Sequence, residues 1–149
     1  MKINLLDNSN NVEKIALDGG VLIALAIGEK SSEQIKQKLL EGSVDAFSSM
    51  IALTEMLYII CRKFGWPAAL EKKQYLLESK MVNIIESSEL VEDAARFKCN
   101  RSLALADCYT LAIAKKNSCK AVFARRELEF DKEINKTEFD VEIEFLSNK

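Results

Sequence analysis

The sequence has no histidine at all. That removes the commonest general base, every histidine-dependent nucleophilic triad and the usual ligand of a catalytic zinc. Any catalysis must lean on carboxylates, lysine, cysteine or a metal held by oxygen. There is one proline and only five glycines, so the chain has no Pro- or Gly-rich linker, and no repeat or low-complexity segment interrupts it. The four cysteines (Cys61, Cys99, Cys108 and Cys119) form no C-x-x-C pair. They read as thiols of a reducing cytosol rather than as a metal or disulfide framework. No signal peptide is visible in MKINLLDNSN, and no stretch is long and charge-free enough to span a bilayer. Net charge is −2, so no global field draws the protein to nucleic acid or to an anionic membrane. A polyanion would need a local patch or a bound cation. These absences predict a cytoplasmic protein with no membrane segment.

Against this background three carboxylates stand out, each alone in an apolar stretch. Asp18 is the only charge between Lys14 and Glu29, Glu55 the only one between Asp45 and Arg62, and Asp107 the only one between Arg101 and Lys115. Asp and Glu are rarely buried without a partner, because losing hydration costs the charged form several kcal/mol. Three such residues in 149 suggest that they meet around something cationic.

The length suits one domain over residues 1–149, with a composition of 48% hydrophobic and 30% charged residues that is ordinary for a globular core. MKINLL is a short apolar segment that pairs, after the turn-like DNSNN, with the strand VEKIAL in a candidate hairpin. That strand ends at Asp18, whose bland reading is an N-cap for the helix VLIALAIG, and Gly19-Gly20 reads as a sharp turn at the strand end. Ser31 and Gln34 offer a capping box for a helix through Leu40. Val44 to Ser48 is a strand, Ser49 to Phe64 an apolar helix stopped by Gly65-Trp66-Pro67, and Pro67 suits the first turn of the next helix. Met81 to Ile85 is a buried strand. Ser87 or Ser88 caps a helix to Asn100, and Ser102 caps the one that carries Asp107. KAVFA is a strand, RRELEFDKE a highly charged segment, and Val141 to Leu146 a final edge strand. Alternating strands and helices predict an α/β domain with a mostly parallel sheet covered on both faces.

In such a sheet the loops at the carboxyl ends of the strands converge on one crevice. Asp18 and Glu127 follow strands, and Glu55 and Asp107 lie near the starts of helices, so the four can share one edge. Four carboxylates suit Mg²⁺ or Mn²⁺, which take oxygen ligands and share their shell with phosphate. That chemistry is histidine-free phosphodiester hydrolysis. Arg101, Arg125 and Arg126 are candidate contacts to the phosphates of such a substrate, against a bland reading as solvated surface arginines. A phosphoacceptor receiver domain also gathers acids at strand ends. It needs adjacent acids after the first strand, where this chain has one acid and two glycines.

Three motifs in order, LDGGVLIAL with Asp18, SSMIALTEMLY with Glu55, and SLALADCYTLAIAKKNSCKAVFARRELEF with Asp107 and a following acid, resemble the PIN-domain family. The likeness is to the toxin-type PIN ribonucleases of prokaryotic toxin–antitoxin modules and runs from about Ile15 to the C-terminus. The resemblance implies a three-layer α/β/α sandwich and a Mg²⁺- or Mn²⁺-dependent endonuclease acting on single-stranded RNA. It also implies a homodimer and an antitoxin partner. Three positions depart from the family pattern. Gly20 stands where a Ser or Thr hydroxyl is usual, Arg125 precedes Arg126 where Thr is common, and the fourth acid is Glu127, with Glu129 as the alternative. Those departures keep a second function open, a catalytically weak PIN-like module that binds RNA or a protein.

Overall fold

A computed structural model describes residues 12–147; the expected hairpin partner MKINLL lies outside the described residues. Five short strands build one sheet: β1 (Glu13–Leu17), β2 (Val44–Ser49), β3 (Val82–Ile85), β4 (Lys120–Arg125) and β5 (Ile143–Ser147). Their order is β3-β2-β1-β4-β5, and every pairing is parallel. The parallel arrangement explains the apolar runs of the sequence, since a strand covered on both faces has no solvent side to alternate with. Within β1, Ile15 and Leu17 enter one core and Ala16 the other.

Seven helices form the outer layers: α1 (Gly19–Ile27), α2 (Glu33–Glu41), α3 (Met50–Phe64), α4 (Trp66–Glu78), α5 (Val91–Asn100), α6 (Leu105–Lys116) and α7 (Leu128–Lys136). One core packs α1 to α4 on Leu17, Val44, Ala46 and Val122. The other packs α5 to α7 on Ala16, Ala121 and Phe123. This is the α/β/α sandwich, and each fully buried Leu or Phe contributes about 1.5–3 kcal/mol to it. No helix of the described residues is long and apolar enough to cross a membrane.

The described residues start at the centre of the sheet with β1, step outward through β2 and β3, then return to the other side of β1 for β4. The direction of winding therefore reverses between β1 and β4, and a crevice opens there at the carboxyl ends of the strands.

Several expected helix starts differ. Ser49 does cap α3, its hydroxyl accepting from the Ala52 N–H at 2.9 Å. Ser31 and Gln34 form no capping box; the chain turns through a 3-10 turn at Lys30–Ser32, and the Ser32 hydroxyl donates to the Glu29 carbonyl. Another 3-10 turn at Ser87–Glu89 precedes α5, so neither Ser87 nor Ser88 caps it. Ser102 does not cap α6, which begins after Ala104; its N–H donates to Glu133 Oε1 instead. Burial of Leu90 and Leu103 sets where these helices enter, and it overrides the local capping preference. The charged RRELEFDKE segment holds the start of α7, anchored by Phe130, whose ring centroid lies 4.5 Å from that of Phe123 and 5.4 Å from that of Phe145.

A carboxylate crevice at the switch point of the sheet

The crevice between the ends of β1 and β4 holds a cavity of about 350 Å³ lined by Asp18, Glu55, Asp107 and Glu127. Each arrives on a different element. Asp18 is the residue between β1 and α1, and its N–H donates to the Val122 carbonyl of β4 at 3.1 Å. Its side chain makes no N-cap hydrogen bond of standard geometry, although the backbone of Gly19 and Gly20 at the helix start does favour its charged form. Glu55 lies in the second turn of α3, whose start is fixed by the Ser49 cap. Asp107 is in the first turn of α6. Glu127 is the residue before α7, held by the Phe130 anchor three residues on.

Glu129, the alternative fourth acid, does not line the cavity. It acts on Asp107 more weakly than Glu127 does.

Among the described residues none of the four carboxylates has an ion-pair partner. Their electrostatics follow from that. Burial, then repulsion from Glu55, raises Asp18 from 3.8 to about 6, although backbone groups of Gly20, Ala124 and Gly19 pull the other way. Burial, then repulsion from Asp18, Glu127 and Glu55, raises Asp107 from 3.8 to about 7. Asp107 also sits at the positive end of α6, which favours an anion by up to about 1 kcal/mol. Desolvation and like charge outweigh that dipole. Glu55 is raised too, by burial and then by Glu127.

A divalent cation is the group that such a set fits. Four oxygen-donor side chains, partly desolvated and mutually repelling, lower their energy when a hard cation enters. As the side chains stand, no three acidic, cysteine or histidine side chains among the described residues are drawn tightly enough to hold an ion.

The three candidate arginines divide. Arg125 lines the cavity. Arg126 pairs with Asp131, donating from Nε to Oδ1, and lies over the Phe145 ring. Arg101 lies outside the cavity with its guanidinium committed. It donates to the carbonyls of Glu133, Thr137 and Glu138 at 3.1, 2.9 and 2.8 Å and stacks 3.6 Å over Phe139. Its neighbour Glu133 is buried, its carboxylate held low by Lys136 and the Ser102 N–H.

Two charged lining residues were missed in the sequence, Glu29 and Lys63. The signal for Lys63 was available, because Glu55, Ile59 and Lys63 follow one another at helical spacing and all face the cavity.

The glycine pair also differs from expectation. Gly19 and Gly20 are the first residues of α1 and neither has a positive φ, so the turn does not demand them. Close approach does. A Cβ on Gly20 would stand 2.8 Å from the Ala124 Cβ and 3.2 Å from Asp18 Oδ2, and one on Gly19 would collide with Glu55 Oε1.

Comparison with solved structures gives the same fold at low identity. The sarcin–ricin-loop-cleaving toxin VapC20 of Mycobacterium tuberculosis is 19% identical with a TM-score of 0.58, covering 72% of this chain and 86% of its own. VapBC2 of Rickettsia felis, bound to a promoter DNA fragment, is 14% identical with a TM-score of 0.60, covering 89% and 98%. A toxin–antitoxin complex of Klebsiella pneumoniae is 20% identical with a TM-score of 0.57, covering 78% and 89%. No curated protein matches the sequence. The PIN domain model matches residues 15–140, a span that runs from β1 past α7 and contains all four carboxylates, and the chain therefore belongs to the PIN domain family.

Proposed function

We propose that the protein is a divalent-metal-dependent endoribonuclease of the toxin type, cutting single-stranded RNA at the crevice between β1 and β4. The observation that carries this reading is the convergence of Asp18, Glu55, Asp107 and Glu127 on one cavity with no protein cation paired to any of them. A carboxylate cluster that raises its own members' proton affinity is unfavourable for folding, and it is explained when a cation and a phosphate belong there.

In this reading Asp18, Glu55, Asp107 and Glu127 hold Mg²⁺ or Mn²⁺. The ion supplies Lewis acidity toward the phosphodiester and activation of water. Glu127 is the fourth acid in preference to Glu129, because Glu127 lines the cavity. Arg125, on the cavity wall, binds phosphate oxygens of the RNA and orients the backbone across the carboxylates. The apolar walls, Ile23, Ile59 and Phe123 among them, limit water around the reacting phosphate.

The neighbours are described as toxins or toxin–antitoxin complexes. The same reading includes a protein antitoxin as partner, which the toxin–antitoxin complex among these neighbours supports, and a homodimer as the working assembly, which the family resemblance implies.

The test is cleavage of single-stranded RNA in Mg²⁺ or Mn²⁺ by wild type and by Asp107→Asn. Loss of a ligand should reduce cleavage roughly 100-fold or more, since even outer partners of a metal site are worth 10–100-fold. Cleavage that persists in the variant, or a wild type that binds no divalent ion, overturns the proposal.

One observation favours a second reading, a PIN-like module that binds RNA or protein with little turnover. Gly20 leaves no hydroxyl beside Asp18, and the Ala124 Cβ occupies the room a side chain there would need. This reading expects RNA binding without divalent-dependent cleavage in the same assay.

A further inference from the structure

Helix α1 opens with two glycines, each about 1 kcal/mol less favourable than alanine in a helix interior. Their backbone is helical, so no left-handed turn requires them. What each lacks is a Cβ, and the two missing atoms would meet different things. At Gly20 the obstacle is the Cβ of Ala124, 2.8 Å away, a rigid neighbour on β4. At Gly19 the obstacle is the carboxylate of Glu55. The added atom would collide with Oε1 and stand 3.0 Å from Cδ, and the Ala52 carbonyl oxygen would be 3.1 Å away.

The second obstacle is the far end of a side chain with three torsions, and it can turn away at little cost. An alanine at this position would therefore be accepted by the fold and would evict the carboxylate. The Ala52 carbonyl oxygen, 3.1 Å from the added atom, would have to give by a few tenths of an ångström.

The eviction matters because of where the Glu55 carboxylate goes. Gly19 directly follows Asp18, so a carboxylate resting on the Gly19 Cα lies at the end of β1, beside Asp18. We propose that Gly19 is a positioning residue for the carboxylate site: its bare Cα is the seat of the Glu55 carboxylate and sets the Asp18–Glu55 spacing on which divalent binding depends. This inference rests on the metal-dependent reading above. It distinguishes the two glycines by what a Cβ would strike first: at Gly20 the Ala124 Cβ at 2.8 Å, with Asp18 Oδ2 further off at 3.2 Å, and at Gly19 the Glu55 carboxylate.

The experiment measures Mn²⁺ binding by the electron-spin signal of the free ion, alongside thermal melting of the metal-free full chain. Wild type, Gly19→Ala, Glu55→Gln and the double variant form a cycle, with Gly20→Ala as the packing control. Gly19→Ala should melt within about 3 °C of wild type and bind Mn²⁺ about tenfold more weakly or worse. Because its effect passes through Glu55, adding it to Glu55→Gln should weaken binding no further. Gly20→Ala should lower the melting temperature, and Ala124→Gly should restore it. The proposal is overturned if Gly19→Ala binds Mn²⁺ like wild type, if its effect adds in full to that of Glu55→Gln, or if it unfolds the protein. A wild type that binds no Mn²⁺ overturns the functional reading and this inference with it. Unchanged binding in Gly19→Ala beside a binding wild type overturns this inference alone.

Discussion

Replacing Asp107 with asparagine should abolish the function and strengthen the fold. Asp107 is held at about 7 in the metal-free protein against 3.8 when unperturbed. The folded state therefore binds a proton that the unfolded state has lost between about pH 4 and pH 7, and stability falls as pH rises through that window. Below about pH 4 both states are protonated and the carboxyl costs nothing; above about pH 7 the cost is complete. At 1.36 kcal/mol for each tenfold change in proton affinity, the displacement from 3.8 to about 7 corresponds to roughly 4 kcal/mol. The crevice is open to water and Asp107 shares its repulsion with Asp18, Glu127 and Glu55, so screening reduces the recoverable part to about 2 kcal/mol. Asparagine keeps the shape and removes the charge. In a chain of this length about 2 kcal/mol raises the melting temperature by roughly 4–8 °C. The assay is thermal melting with a chelator at pH 4 and pH 8. Asp107→Asn should melt above wild type at pH 8 and together with it at pH 4. A variant no more stable at pH 8, or equally more stable at both pH values, would refute the electrostatic reasoning.

The arginines should separate by role. Arg101→Ala should destabilise the protein by about 2–3 kcal/mol, since it removes hydrogen bonds to three carbonyls and a cation–ring contact; chemical denaturation checks this, and an unchanged midpoint would contradict it. Arg125→Ala should weaken RNA binding and lower the salt dependence by about one counterion, whereas Arg126→Ala should leave both unchanged, as fluorescence anisotropy across a salt series would reveal.

The sheet was legible because burial on both faces demands apolar runs; KAVFA carries that mark most plainly, while Val44 to Ser48 and Met81 to Ile85 carry it around an exposed Asp45 and Asn83. The site was legible for the opposite reason: Asp18, Glu55 and Asp107 are charges where the same rule forbids them. Helix starts were less legible. Ser31, Ser87 and Ser102 are good caps by composition, yet Leu90 and Leu103 take buried positions that set the entry of their helices a few residues later. Glu133 was invisible. It is buried but sits in a charged run, where no local contrast marks it. The partners of Arg101 lie 32 to 37 residues downstream, beyond any periodicity a single sequence displays. Glu127 was legible only through its spacing from Asp107, and the cavity lining is what separates it from Glu129.

The placement of cations argues as strongly for the site as the placement of acids. Several charges elsewhere in the described residues are paired. Lys120 meets both Glu13 and Glu144, Lys136 and Arg101 meet Glu133, and Arg126 meets Asp131. The two cations that line the crevice, Lys63 and Arg125, form no ion pair with its carboxylates among the described residues. If the crevice were merely a tolerated defect, an ion pair from Lys63 or Arg125 to one of its carboxylates would relieve it at the cost of side-chain entropy. In the proposed reading the acids would hold a cation and Arg125 and Lys63 would meet the RNA phosphates on either side. Keeping the two sets apart would then spare each binding event the breaking of an ion pair formed in advance.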